Sequence, residues 1–162
     1  MRHPLFAFDP APVTIIGIGS PFGDDRVGWS VADALAERLS ASKARVLKLD
    51  RPGTALLDEI AGRHRAVLVD AAATGAAAGT LHCIALEDLP ATSAGSSHGL
   101  GLAEALQLAR SLGVLPAELC LYLVSIDPDN ARLPGADLTP AVAAAVEPLA
   151  AAICKRLVAC AA

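Results

Sequence analysis

An acidic pair, Asp24-Asp25, follows the apolar run Val13–Ile18 and a turn of the form Gly-x-Gly. In α/β proteins the functional site usually lies where a strand ends and a helix begins. A buried aspartate is costly unless it is paired or binds metal, so two adjacent carboxylates at this place favour a site over packing. A nucleotide-binding turn must approach an anion, whereas this turn presents negative charge. The predicted target is therefore a cation, a proton or a water molecule.

Two further polar residues are expected at the same edge of the sheet as Asp25. Asp70 ends the third apolar run, and His98 precedes the helix that leads to the fifth. Loops after parallel strands open on one edge, so these three residues can converge. Two carboxylates and an imidazole form a ligand set suited to nickel or zinc, with coordination positions left open. Three plainer interpretations stay open: Asp25 as a helix cap, Asp70 as a turn residue, and His98 as a loop histidine bonded to a neighbouring serine.

Hydrophobic periodicity predicts the elements that would position these residues. The expected strands are Val13–Ile18, Arg45–Leu49, Ala66–Val69, Gly79–Leu86 and Leu119–Ile126. The expected helices run from about Arg26 to Leu39, around Leu56–Ile60, along Leu102–Leu112 to a cap at Gly113, and onward from Thr139-Pro140. Alternating strands and helices predict a three-layer α/β/α fold of the phosphorylase/hydrolase-like kind. Its sheet of about five strands is expected to be mixed and mostly parallel, with the third and fourth strands antiparallel or a hairpin.

Composition narrows the classes of function. A chain of 162 residues with 54% hydrophobic content predicts one domain over residues 1–162. The net charge of −4 and the lack of a basic stripe argue against nucleic acid. The most apolar stretch, 141–162, is interrupted by charged residues and a proline, so we expect no membrane insertion. Cys83 and Cys120 are expected to be small buried hydrophobes, and four cysteines without a C-x-x-C pair favour reduced thiols in the cytoplasm.

The ordered motifs of the chain resemble those of the [NiFe]-hydrogenase maturation proteases. The similarity is carried by Gly17-Ile18-Gly19-Ser20 with Gly23–Gly28, Val67–Ala71 with Gly79-Thr80-Leu81, Ser96–Leu102, and Gly135–Pro140. It spans nearly the whole chain in the family's order. Two positions depart from the family's pattern, since Ser20 stands where Asn is common and Arg26 where a small residue is common. The segment between the glycine turn and the acidic pair is also one residue shorter than is usual in the family.

The resemblance implies an endopeptidase that removes the C-terminal extension of a [NiFe]-hydrogenase large-subunit precursor after nickel insertion. It implies that Asp25, Asp70 and His98 contact the metal, and that nickel is carried by the precursor rather than held permanently. Asp25 and Asp70 are the expected catalytic residues, whether the metal or a carboxylate activates the water. The expected partner is the precursor, and the protease itself is expected to be a monomer.

Two other classes of function remain open at this point. A non-enzymatic nickel-sensing module would use the same three residues without activating water. A divalent-metal-dependent hydrolase or nucleotide-binding domain would instead bind magnesium through Asp24 and Asp25.

Overall fold

A five-stranded sheet organises the chain in the computed structural model, which describes residues 12–89, 101–131, 133–135 and 137–159. The strands are β1 (Val13–Gly19), β2 (Ala44–Asp50), β3 (Arg65–Ala72), β4 (Leu81–Ile84) and β5 (Glu118–Ser125). The helices are α1 (Val27–Arg38), α2 (Ala55–Ile60), α3 (Leu102–Ser111) and α4 (Pro140–Ala159). The strand order is β2-β1-β3-β5-β4, and only the β4–β5 pairing is antiparallel.

Helices cover both faces of the sheet, which confirms the predicted three-layer fold. Alternate residues along each strand point to opposite faces, and the two faces bury separate apolar clusters. Ile15 and Val69 pack with α1 and α4, whereas Ile16 and Leu68 pack with α2 and α3. Strand β1, which lies between β2 and β3, is buried along its whole length. Continuous apolar runs are typical of parallel strands that are covered on both sides.

Three details of the sheet differ from the sequence-based expectation. The third and fourth strands do not form a hairpin, because β5 inserts between them and pairs with both. Strand β3 does not stop at Asp70, since Ala71 and Ala72 continue its pairing with β5. Strand β4 is shorter than predicted, and Cys83 on this edge strand is exposed rather than buried.

The connections after β1 and after β3 run towards opposite edges of the sheet. The connection after β1 leads to the edge strand β2, and the connection after β3 leads to the other edge strand, β4. From β2 the chain returns past β1 to β3. The crevice between β1 and β3 is therefore the switch point at which α/β proteins bind ligands. Gly28 in the first turn of α1 closes over this crevice, because a Cβ there would lie 2.0 Å from the Ile18 carbonyl oxygen and 2.7 Å from that of Val69.

None of the helices in the described part of the chain combines the length and the apolar character that a membrane crossing needs.

Candidate active site

Asp25 lies in a single 3-10 turn, Gly23–Arg26, between the end of β1 and the start of α1. Ser20, which is fully buried, donates its hydroxyl to Oδ2 of Asp25. The backbone closes the same loop, because the Asp25 N–H donates to the Phe22 carbonyl at 3.1 Å. Ser20, one of the two departures from the family's pattern, thus orients the carboxylate at the carboxyl end of β1.

The helix-cap interpretation of Asp25 does not describe the structure. Arg26 occupies the cap position of α1, without a side-chain capping bond. Its guanidinium instead donates to the Pro21 carbonyl oxygen at 2.9 Å. The second departure from the family's pattern therefore braces the loop that carries Asp25.

Asp24 is a structural residue despite its position beside Asp25. Its side chain is fully buried, and its two oxygens accept the Thr139 N–H at 2.7 Å and the Thr139 hydroxyl at 2.9 Å. These bonds join the loop after β1 to the start of α4, where Thr139 immediately precedes the helix as predicted. A magnesium site that needs both adjacent carboxylates is not supported, because one of them is already engaged.

Asp70 lies near the carboxyl end of β3, at the point where pairing with β1 has ended. Gly17 pairs with Val69, and beyond this pair only β5 accompanies β3. Burial raises the pKa of the Asp70 carboxyl to about 8, against the opposing effect of a hydrogen bond from the Ala71 N–H at 2.8 Å. The negative charge of Asp25 raises this pKa further.

The structure therefore brings Asp25 and Asp70 together at the switch point between β1 and β3. Their charges interact although 45 positions of sequence separate them. His98, the third predicted ligand, lies outside the described residues. Within the ranges that the structure describes, no three histidine, cysteine or acidic side chains are grouped as metal ligands. The two carboxylates can accept and donate protons, and they offer oxygen ligands to a cation.

Sequence reasoning gave no functional role to Arg51, a cation at this edge of the sheet. Its N–H donates to the Gly19 carbonyl at 3.2 Å, and its guanidinium lies 5.9 Å from the centre of the Phe22 ring. A hydrogen bond to Asp50 raises the pKa of Arg51, and the charge of Asp25 adds to the rise. The sequence Asp50-Arg51-Pro52-Gly53 is typical of a turn that carries polar groups, but it does not reveal the closeness of Arg51 to Asp25.

Comparison with known proteins gives one consistent result. Residues 29–156 match the family model described as hydrogenase maturation protease. The hydrogenase 2 maturation protease of Escherichia coli K12 is 31% identical over 141 residues, which cover 84% of each chain.

Solved structures show the same similarity. The hydrogenase maturating endopeptidase HybD from E. coli superposes with a TM-score of 0.71 at 29% identity, covering 90% of this chain and 91% of that one. The maturation protease HycI from Thermococcus kodakarensis gives a TM-score of 0.68 at 20% identity, covering 91% and 92%. At that lower identity the likeness establishes the fold alone.

Proposed function

This chain belongs to the hydrogenase maturation protease family, and we propose that it is the endopeptidase that removes the C-terminal extension of a [NiFe]-hydrogenase large-subunit precursor after nickel insertion. The observation that carries the proposal is the meeting of Asp25 and Asp70 at the switch point of a sheet with this family's fold. Nickel enters as part of the substrate, already bound by the precursor.

The two carboxyl groups support different roles because their surroundings differ. Asp25 accepts a hydrogen bond from the Ser20 hydroxyl in the loop after β1, whereas Asp70 lies in β3 and is desolvated by burial. Asp70, whose raised pKa favours the protonated form, can donate a proton to a leaving group, and a neighbouring carboxylate can accept a proton from water. We assign Asp25 as the proton acceptor and Asp70 as the proton donor.

Peptide hydrolysis by this pair is balanced in atoms and protons. A water oxygen adds to the scissile carbonyl carbon while its proton passes to the Asp25 carboxylate. The C–N bond then breaks, and the leaving nitrogen receives a proton from Asp70. The products are the mature large subunit with a new terminal carboxylic acid, which ionises by releasing its proton to water, and the released extension with a new amine. The proton held by Asp25 returns to Asp70, which restores the pair. Both carboxylates, with His98, also offer oxygen and nitrogen donors to the nickel of the precursor.

The test is trimming of a nickel-loaded precursor, read as the loss of mass of the extension. Asp25→Asn and Asp70→Asn keep the side-chain shape but remove proton transfer, so each should abolish trimming. Asp58→Asn is the matched control, since Asp58 is an exposed aspartate on α2. A nickel-free precursor should remain uncut. Binding of the loaded precursor without loss of mass would indicate a nickel-sensing module instead.

We further propose that the protein acts in the cytoplasm as a monomer, where the precursor would meet it before assembly. Sedimentation of the purified protein with and without the precursor checks the oligomeric state.

A further inference from the structure

A second polar cluster lies at the carboxyl end of β5, the strand that pairs with β3. The Ser125 hydroxyl is fully buried and lies 2.7 Å from Nε2 of His82 and 2.5 Å from Oγ1 of Thr74. Oγ1 of Thr74 in turn lies 3.4 Å from Nε2 of His82 and accepts the Ala76 N–H at 3.2 Å. The cluster runs from buried Ser125 through half-buried His82 to exposed Thr74.

Strand register places this cluster in line with Asp70. Asp70 on β3 and His82 on β4 both pair with Leu123 of the intervening strand β5, and Ser125 follows two residues later on the same face. The three polar residues therefore share the sheet face that packs against α2 and α3, where Leu68 and Leu121 are buried. Two strand spacings separate β3 from β4, about 10 Å.

The distance of about 10 Å between β3 and β4 equals the length of about three residues of an extended peptide. A chain in the extended conformation advances roughly 3.3 Å per residue, so about three residues lead from Asp70 to His82. Peptide substrates offer backbone N–H and C=O groups at every residue, and each needs a hydrogen-bond partner when the substrate is covered. An imidazole and a hydroxyl at this spacing can supply such partners.

The contacts within the cluster also orient the His82 imidazole. Ser125 and Thr74 both contact Nε2, so Nδ1 is the ring nitrogen without a role in the cluster's own bonds. A buried hydroxyl at the end of an otherwise apolar strand is costly unless it is bonded, and His82 together with Thr74 satisfies it. The imidazole is thereby held on the edge strand with a defined orientation.

We infer that Thr74, His82 and Ser125 form a subsite that binds a backbone peptide group of the substrate about three residues from the scissile bond, with His82 as a positioning residue. The inference rests on the proposed function and adds to it the path of the substrate, from the crevice between β1 and β3 across β5 towards the edge strand β4.

The experiment compares His82→Phe, His82→Gln and Thr80→Val. Phe keeps the ring volume but removes the hydrogen bonds, and Gln restores a donor and an acceptor. Thr80→Val is the matched control, because the Thr80 hydroxyl tethers the same turn to the Ala77 carbonyl at 2.6 Å without joining the cluster. KM and kcat are measured for trimming of the nickel-loaded precursor. Its Kd is measured with each variant in an Asp25→Asn background, where turnover does not remove the complex.

Loss of one substrate hydrogen bond predicts that His82→Phe raises KM and Kd roughly tenfold with kcat within twofold. His82→Gln should recover most of the loss, and Thr80→Val should match the parent. Should His82→Phe not fold, Ser125→Ala tests the same point by releasing the imidazole, with a smaller rise in KM.

Unchanged KM and Kd in His82→Phe, or an equal loss in Thr80→Val, would overturn the subsite and leave the cluster a structural lock of the turn. If the parent binds but does not trim the precursor, the proposed function fails while a weaker Kd in His82→Phe still supports the subsite.

Discussion

Asp70→Asn should stabilise the protein against unfolding while removing its activity. The Asp70 carboxyl has a pKa of about 8 in the folded chain against an ordinary value of 3.8, chiefly because it is desolvated. Between these two values the unfolded chain releases the proton that the folded chain keeps. The folded state therefore binds more protons, and the free energy of unfolding falls as the pH rises from about 4 to about 8.

The size of the effect follows from the shift in pKa. Each pKa unit corresponds to about 1.36 kcal/mol, so a rise of about four units sets an upper limit of roughly 6 kcal/mol above pH 8. Asp70 is half-buried, and water at the exposed part of its side chain screens part of this cost. We expect Asp70→Asn to be more stable than the parent by about 2–4 kcal/mol at pH 7. For a domain of this size that corresponds to a rise in Tm of about 5–15 °C.

Asparagine is a suitable replacement because its side-chain oxygen can still accept the Ala71 N–H, which Asp70 accepts at 2.8 Å. The assay is urea unfolding of the parent and the variant from pH 4.5 to pH 9, with a chelator present to remove bound metal. The stability difference should be small near pH 4.5, grow steadily to about pH 8 and remain constant above it. Asp58→Asn, in which an exposed carboxyl is changed, should show no such growth.

A stability difference that does not change with pH would refute the reasoning, because it would mean that Asp70 titrates alike in the folded and unfolded chains. A variant less stable than the parent at pH 8 would refute it as well, since the ionised carboxylate would then be stabilised by its surroundings.

Four other outcomes are expected. Asp25→Asn should change the free energy of unfolding by less than about 1 kcal/mol yet abolish precursor trimming, and retained trimming would leave Asp25 structural. Asp24→Ala should cost about 2–4 kcal/mol in urea unfolding, because it removes the buried carboxylate that accepts both Thr139 hydrogen bonds, and a cost near zero would contradict those bonds. Gly28→Ala should cost at least about 3 kcal/mol by thermal melting, since its Cβ meets two carbonyl oxygens, so a parent-like Tm would argue against the close approach of α1. The isolated protein should bind nickel weakly in calorimetry, and His98→Ala should weaken nickel binding further. An unchanged nickel affinity in this variant would exclude His98 as a ligand.

The architecture was predictable because each element is encoded locally. Strand β1 is visible in the sequence as an apolar run, and α1 as the helical spacing of Val27, Val31 and Leu35. Both elements form within one or two residues of the predicted ends. Strand order is a different kind of information. Nothing in the sequence between Asp70 and Leu81 indicates that β5 will insert between β3 and β4, because that choice depends on which faces pack after the helices are placed.

The candidate site was predictable only where chemistry and topology coincide. Asp25 and Asp70 were predicted as site residues because each follows an apolar strand, and parallel strands end at the same edge of the sheet. The role of Asp24 could not be seen, since its partner Thr139 is distant in sequence and its residue type is identical to that of its neighbour. The contacts of Ser20 with Asp25 likewise depend on the 3-10 turn, which no periodicity signals.

Asp24 and Asp25 have different roles, and the structural role of Asp24 explains how the site tolerates the desolvated carboxyl of Asp70. Desolvation of Asp70 lowers stability at neutral pH, so the site would relax if its loops were free to move. Asp24 opposes such relaxation by fastening the loop after β1 to the start of α4, whose Leu149 and Ile153 are buried against the sheet. The stability of the α1/α4 layer is thereby used to hold Asp25 beside Asp70. The proposed catalytic pair needs such rigid support, because a displacement of about 1 Å is enough to lose much of a catalytic effect.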